Sequence, residues 1–289
     1  MRTVRTIAEL QSLLDAERAA GRGVGFVATL GYLHEGHASL MRRARADTDV
    51  VVASIFVNPL QFGAGEDLDA YPRDLERDSR LAEAEGVDLL FVPAVDEMYP
   101  TPVLTTVSVA QVSEPLEGAA RPEHFAGVAT VVAKLFAIVG PCRTYFGEKD
   151  FQQIALVRRM VHDLSFPVDV VACPTVREPD GLALSSRNAY LTPEEREAAP
   201  VIHRALQAGA ASILAGERDP ALVRSLMAQI IEAEPLARLD YAEVVDADSF
   251  VVPDPLGGNV RLLAAVRFGR ARLIDNVGVT APAAPTQGG

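Results

Sequence analysis

Through about residue 175 the chain alternates short apolar runs with stretches in which apolar residues recur every three or four positions. The runs "VGFVATL" (24–30), "DVVVASIFV" (49–57), "VDLLFVP" (87–93), "CRTYFG" (142–147) and "VDVVACP" (168–174) predict strands. The periodic stretches 38–48, 73–85, 127–139 and 151–164 predict helices between them. Alternation of this kind implies right-handed crossovers and a parallel sheet covered on both faces. Ligands of such sheets sit beyond the carboxyl ends of the strands, so the loops there are the first place to look for function.

From Thr192 the texture changes. In "LTPEER" Thr192 stands as N-cap, Pro193 at the first helical position and Glu195 three residues after the cap, a capping box that opens a helix. A second helix is predicted over 219–233, and "DYAEVVDAD", "VRLLAAVRFG" and "ARLIDNV" predict three consecutive antiparallel strands. The expected architecture is therefore α/β: a Rossmann-like parallel-sheet domain over 1–175, a smaller C-terminal α+β domain over 176–280, and a disordered tail, "APAAPTQGG", over 281–289.

Composition narrows the class. At 289 residues with 49% apolar and 23% charged content, the chain is an ordinary globular one. The longest apolar stretch, 128–139, is interrupted by Lys134 and too short to span a bilayer. The opening "MRTVRTIAEL" lacks the apolar core of a secretory signal, which predicts a cytoplasmic protein. Cys142 and Cys173 sit in or beside apolar runs and are read as buried free thiols. A net charge of −12 argues against a nucleic-acid partner, whose general affinity comes from surplus Lys and Arg. An anionic ligand must then meet a local cluster of positive groups.

The candidate for such a cluster is "TLGYLHEGHASL" (29–40), which puts two of the five histidines, His34 and His37, three apart around Gly36 after a strand and before a helix. Free backbone N–H groups at a helix start attract anions, and the helix dipole adds to that attraction. Gly36 permits close approach of a phosphate, and the two imidazoles can donate hydrogen bonds to its oxygens. A zinc pair of the H-E-x-x-H kind needs histidines four apart on one helical face, whereas a helix-breaking glycine separates these, so metal ligation by them is the weaker reading.

H-x-G-H after a first strand resembles the nucleotidylyltransferase superfamily. The blocks "FVNPLQFGAGEDLDAYPRDLERD" (56–78), "RPEHFAGVATVVAKLF" (121–136), "YFGEKDFQQ" (145–153) and "PTVREPDGLALSSRNAYLTPEER" (174–196) resemble, in matching order, those of the pantothenate synthetase family. That resemblance spans nearly the whole chain. It implies an enzyme that joins pantoate to β-alanine with ATP and Mg2+, through a pantoyl-adenylate intermediate, releasing pyrophosphate and AMP. It also implies a homodimer. One departure stands in the first block, where the family's P-T-M-G is Ala28-Thr29-Leu30-Gly31. Leu30 keeps the apolar bulk of Met, and loss of the proline loosens the loop only through the unfolded state.

The residues make chemical sense under that resemblance. Adenylation of a carboxylate needs in-line positioning and neutralisation of charge as pyrophosphate leaves. Lys149 in "GEKD" follows a predicted strand and Arg187 in "LSSR" follows the proposed crossing between domains, with Ser185 and Ser186 as hydroxyl donors, and these join His34 and His37 as the expected catalytic set. The family places nucleotide contacts at Leu30, Gly31, Tyr32, Leu33, His34, Glu35, Gly36 and His37, at Gly147, Glu148, Lys149 and Asp150, at Val176, and at Leu184 through Arg187. No metal-binding cluster is expected in the protein itself; Mg2+ is expected through the ATP phosphates, with Asp150 able either to assist it or to cap the following helix. Gln61 and Gln153 are the family's pantoate contacts, with Asn58 and Phe62 lining the pocket and Arg121 and His124 at its mouth. Neutral amides suit pantoate because they leave its carboxylate nucleophilic. His37 is the family's acid. Either histidine or the product phosphate can take the β-alanine proton. Another nucleotidyl-transferring enzyme would share the histidines but not require the 56–78 block, and the intact His34, His37, Lys149, Ser186 and Arg187 speak against a nucleotide-binding regulator that has lost catalysis.

Overall fold

The computed structural model describes residues 1–63, 68 and 71–282, and the chain divides into two compact units, Met1–Pro174 and Thr175–Gly289. In the first, the strands are β1 (Arg2–Val4), β2 (Val24–Thr29), β3 (Val50–Ile55), β4 (Leu89–Phe91), β5 (Cys142–Gly147) and β6 (Val168–Cys173). They form one parallel sheet, ordered β1-β4-β3-β2-β5-β6. This is the Rossmann-like α/β sheet that the alternation predicts, with β1 added at one edge. The helices are α1 (Ile7–Ala19), α2 (Glu35–Asp47), α3 (Leu75–Ala84), α4 (Val95–Met98), α5 (Glu117–Ala120), α6 (His124–Val139) and α7 (Phe151–Asp163). β3 is buried along five of its six residues, as a central strand covered on both faces must be.

From β2 the chain steps outward to β3 and β4, then crosses back to β5 and β6 on the other side. The crossovers that leave the neighbouring strands β2 and β5 thus run in opposite senses, and a crevice opens at the carboxyl ends of these two strands. Behind it, Val27, Leu33, Met41, Ala44, Val51 and Tyr145 belong to one fully buried cluster. α2 begins earlier than the expected 38 because His34 caps it, which puts Gly36 inside the first turn rather than at a helix break. α6 likewise begins at His124 rather than 127. Gly127, in its first turn, is a close-approach position: a Cβ there would lie 2.1 Å from the Leu60 carbonyl oxygen, so the turn Pro59–Gln61 can rest on the helix only over a bare backbone.

The second unit contains α8 (Pro193–Ala198), α9 (Val201–Leu214) and α10 (Pro220–Glu232), followed by β7 (Arg238–Asp246), β8 (Gly258–Phe268) and β9 (Ala271–Ala281), paired antiparallel in that order. The Thr192 capping box is formed as read, with Thr192 Oγ1 accepting from Glu195 N and the Glu195 carboxylate accepting from Thr192 N. The helix it opens stops at Ala198, because Pro200 has no N–H to continue the ladder and its ring would clash with the carbonyl of residue 196. Ala281 closes β9 and the Pro282 carbonyl accepts from Arg218, so the expected tail does not start at 281. Residues 283–289 lie outside the described residues.

Within this unit a buried ion pair holds the segment that leads to Ser185. Arg177 donates two hydrogen bonds to the Asp275 carboxylate, at 2.6 and 2.9 Å, and two more to the carbonyls of Gly181 and Asn276. Asp275 is 5% exposed. Removing one partner of such a pair strands the other charge in a poor solvent, so Asp275→Ala should destabilise the chain by about 3 kcal/mol or more, read as a lower urea midpoint.

Candidate active site

Each loop at the carboxyl edge of β2, β3 and β5 carries part of the expected site. After β2, Gly31 (φ +90°) and Tyr32 (φ +50°) turn the chain sharply. Tyr32 carries a steric cost there that glycine does not. Two side chains from α3 hold it. The Asp78 carboxylate accepts the backbone N–H of Tyr32 and of Leu33, both at 2.7 Å, and the Arg77 guanidinium lies 5.1 Å from the Tyr32 ring centroid. Asp78 is 1% exposed. Burial pushes its carboxyl pKa up, while the two amides pull it back. Sequence reading missed Asp78, whose "RDLERD" context has the look of a solvated helix face.

The loop then delivers the two histidines in a reciprocal cap of α2. His34 Nδ1 accepts from Gly36 N at 3.1 Å, and His37 Nδ1 accepts from His34 N at 3.3 Å. Backbone N–H groups only donate, so both rings carry their proton on Nε2. The rings stand 4.1 Å apart between centroids, tilted by 41°. A Cβ on Gly36 would lie 2.9 Å from the His34 ring, so this glycine serves the ring's own approach, whatever else comes near it. Burial, then the Lys149 charge, lowers the His34 pKa to about 4; burial, then His34, lowers that of His37 to about 3. Asp150 opposes both shifts and is too weak to reverse them. The pair is neutral at physiological pH, a set of two N–H donors at a helix N-terminus. With both Nδ1 atoms occupied by backbone, metal ligation by these nitrogens has no room.

After β5, Gly147 leads into the turn Glu148–Asp150, where Lys149 Nζ stands 3.5 Å from Asp150 Oδ1. Their electrostatic reach to both histidines puts "GEKD" beside the His34–His37 pair. Asp150 occupies the N-cap of α7 but makes no side-chain cap, so the capping role weighed for it is not taken up. The next turn separates two adjacent glutamines. Gln152 is buried and its side chain is bonded to the backbone of Val112, Pro115 and Glu117, whereas Gln153 is half-buried and its side chain makes no hydrogen bond among the described residues.

After β3, Gln61 is held at its backbone and at its side-chain oxygen. His124 Nδ1 and an Arg121 nitrogen donate to its backbone carbonyl, at 3.0 and 3.3 Å, and Asn58 donates to its Oε1 at 3.1 Å. Arg121 and His124 therefore brace Gln61. Asn58, expected at the substrate, is 0% exposed, with its amide bonded to Leu60, Gly127, Gln61 and Tyr99. Phe62 packs edge-on against Tyr71.

The remaining expected residues lie in the second unit. Leu184 N donates to the Val176 carbonyl across the short hairpin that Arg177 anchors. Ser185 caps the turn Ser186–Tyr190, its Oγ accepting from Arg187 N at 3.2 Å, which leaves the hydroxyl proton to donate outward. Among the described residues no group of three or more His, Cys, Asp or Glu side chains is arranged to hold a metal ion. None of their helices is long and apolar enough to cross a membrane.

The chain matches the Pantoate-beta-alanine ligase family model over residues 2–278. It is 56% identical over 277 residues to a pantothenate synthetase of Roseiflexus sp. (strain RS-1), covering 96% of this chain and 98% of that one. Its fold superposes on the pantothenate synthetase of Thermus thermophilus with a TM-score of 0.91 at 53% identity, covering 96% and 99% of the two chains. A pantoate-beta-alanine ligase of Francisella tularensis, solved with beta-gamma ATP and beta-alanine, superposes with a TM-score of 0.80 at 34% identity, covering 96% and 97%.

Two measurements test the local geometry. Asp78→Asn replaces one acceptor by a donor that faces a backbone N–H. Hydrogen-exchange protection at Tyr32 and Leu33 should drop by about tenfold or more, with the sheet amides unchanged. The histidines set a pH window. Their folded pKa values of about 4 and about 3 lie below the ordinary 6.5, so the unfolded chain binds protons that the native one refuses. Their contribution is neutral above about pH 6.5 and increasingly destabilising as the pH falls toward about 4. The double variant His34→Asn, His37→Asn should therefore lose less thermal stability than the parent between about pH 7 and about pH 5.

Proposed function

The chain belongs to the pantoate-beta-alanine ligase family, and from that membership we propose how its ATP-dependent joining of pantoate to β-alanine is divided among these residues. The observation that carries the reading is the reciprocal histidine cap at the switch point of the sheet. It offers two neutral Nε2–H donors and a helix N-terminus to a triphosphate. A pantoate carboxylate oxygen attacks the α-phosphorus of ATP; the new P–O bond forms as the bond to the bridging oxygen breaks, and pyrophosphate leaves with that electron pair. The β-alanine nitrogen then attacks the acyl carbon of pantoyl adenylate; the C–N bond forms as the bond from that carbon to the phosphate oxygen breaks, AMP leaves with that electron pair, and the proton of the nitrogen passes to His34, His37 or the departing phosphate.

In the first step His34 and His37 act as hydrogen-bond donors to oxygens on which charge builds, rather than as imidazolium acids. A bound polyanion raises both pKa values by favouring the charged ring. Lys149 adds a full positive charge beside them. Ser185, Ser186 and Arg187 are assigned to the leaving pyrophosphate, and the second unit is assigned the role of a lid. Leu30 to His37, Gly147 to Asp150, Val176 and Leu184 are assigned to the nucleotide. Gln61 and Gln153 are assigned to pantoate, which their amide chemistry suits.

Mg2+ neutralises phosphate charge when bound. This ion commonly takes one or two carboxylates and completes its shell with substrate phosphates and water, and the half-exposed Asp150 beside Lys149 fits such a site. The proposal extends to a homodimer in the cytoplasm without a nucleic-acid partner. The free thiols of Cys142 and Cys173 and the net charge of −12 support the last two points.

Pantoate-dependent exchange between ATP and pyrophosphate is the test, and dependence on a different acid overturns the reading. In His37→Ala the exchange rate should drop by about a hundredfold, the usual effect of losing one preorganised donor. Capture of supplied pantoyl adenylate by β-alanine should drop far less, and equal damage to both steps would reject this division of roles.

A further inference from the structure

Every hydrogen-bonding position of the buried Asn58 amide is engaged, and two of its partners admit only one polarity. Leu60 N–H, which can only donate, faces Asn58 Oδ1 at 3.3 Å. The Gly127 carbonyl, which can only accept, faces Nδ2 at 3.2 Å. The orientation of the Asn58 amide is therefore determined by backbone groups, independently of any choice between its nitrogen and oxygen. Tyr99 O–H donates to the second lone pair of Oδ1 at 3.0 Å. Burial pushes the Tyr99 pKa up to about 12, so this hydroxyl keeps its proton throughout the physiological range. The ring is held by an edge contact with Phe56, 6.0 Å between centroids, and by Lys134 Nζ 5.4 Å from its own centroid.

One Asn58 proton remains, and it points at the side-chain amide of Gln61, 3.1 Å away. The atom that receives it must be Oε1. Reversing the Gln61 amide would set two N–H groups against each other in a buried place, at the cost of an unmade hydrogen bond. Gln61 Nε2 is then the end left over. It has no hydrogen-bond partner among the described residues, and the residue keeps 9% of its surface exposed.

We propose that Tyr99 and Asn58 are positioning residues that fix Gln61 as a pure hydrogen-bond donor, so that pantoate is recognised there through an oxygen that accepts. This rests on the assignment of Gln61 to pantoate. A carboxylate or hydroxyl oxygen satisfies such a position, and an ammonium nitrogen finds no acceptor in it. The polarity thus helps to keep the amine end of β-alanine away from the place that holds the acid.

The test compares Gln61→Glu with Gln61→Ala in the steady-state reaction, with KM for pantoate and for ATP read separately across pH and melting temperature as a control. In Gln61→Glu one carboxylate oxygen takes the Asn58 proton and the other faces the substrate acceptor. Pantoate KM should rise by about tenfold or more at alkaline pH, beyond the rise in Gln61→Ala, and return toward the parent value as the pH falls and the carboxyl regains a proton. ATP KM should not follow. If Gln61→Glu binds pantoate as well as or better than the parent at alkaline pH, the residue accepts from the substrate and the proposal is wrong. If both variants leave pantoate KM unchanged, Gln61 does not touch pantoate and the underlying assignment is lost. Tyr99→Phe should raise pantoate KM by about threefold or more without changing ATP KM. A lower melting temperature with both KM values intact makes Tyr99 structural only and removes it from the chain of donors.

Discussion

The site exists because the connections that leave the neighbouring strands β2 and β5 run in opposite directions. A parallel sheet buries its faces under helices, and between strands that are neighbours in space but not in sequence no crossover covers the carboxyl ends. β2 and β5 are such neighbours, and the loops from their ends supply the histidine cap and the lysine turn. The apolar cluster behind them, with Leu33 and Met41 fully buried, sets where α2 must lie and so where its N-terminus points. Packing fixes the direction of the dipole, and the chemistry follows from that direction.

Loops at such an edge are not rigid by themselves, and this chain stiffens them with buried polar groups rather than with apolar ones. Asp78 takes two successive amides of the turn before His34. Gln152 takes three backbone groups of the stretch 112–117, and Asn58 ties Leu60, Gly127 and Tyr99 to Gln61. Each of these side chains is more costly to bury than a hydrophobe of the same size, and that cost is offset only if all its bonds are made. An apolar side chain could fill the same volume, but it could not specify which way an amide or an imidazole faces. Where function depends on the direction of an N–H, a satisfied polar network is the better support.

What the sequence discloses divides along the same line. Strands such as 50–55 are legible because burial on both faces forces a continuous apolar run, and the Thr192 cap is legible because its partners lie three residues apart. The histidine pair is legible as an anion site, but the start of its helix is not, since histidine is not among the usual N-cap residues and glycine suggests a break. Asp78 is invisible locally: its partners are Tyr32 and Leu33, brought to it by the crossover, and nothing in "RDLERD" marks one acid among several. The adjacent Gln152 and Gln153 differ only by the rotation of one helical residue, which turns the first into the backbone of 112–117 and leaves the second half-buried. Asn58 sits in a recognisable block, yet recognition cannot separate a residue that touches the ligand from one that aims its neighbour.

The neutral state of the histidines resolves an apparent conflict between a chain of net charge −12 and two anionic substrates. Two imidazolium rings 4.1 Å apart beside Lys149 would repel one another strongly in the free protein, and burial would add to the penalty. Neutral rings avoid that repulsion while each keeps an Nε2–H donor, and the backbone amides at the start of α2 contribute partial positive charge without any net ion. Full charge is needed only at a few points, and Lys149, 17% exposed, carries it beside the rings. Its neighbour Asp150 tempers that field, and the pull of Asp150 on the histidines toward charge is too weak to offset burial and Lys149. A site built this way attracts a polyanion by direction as much as by charge, which suits an acidic molecule that must still release its phosphate-bearing products.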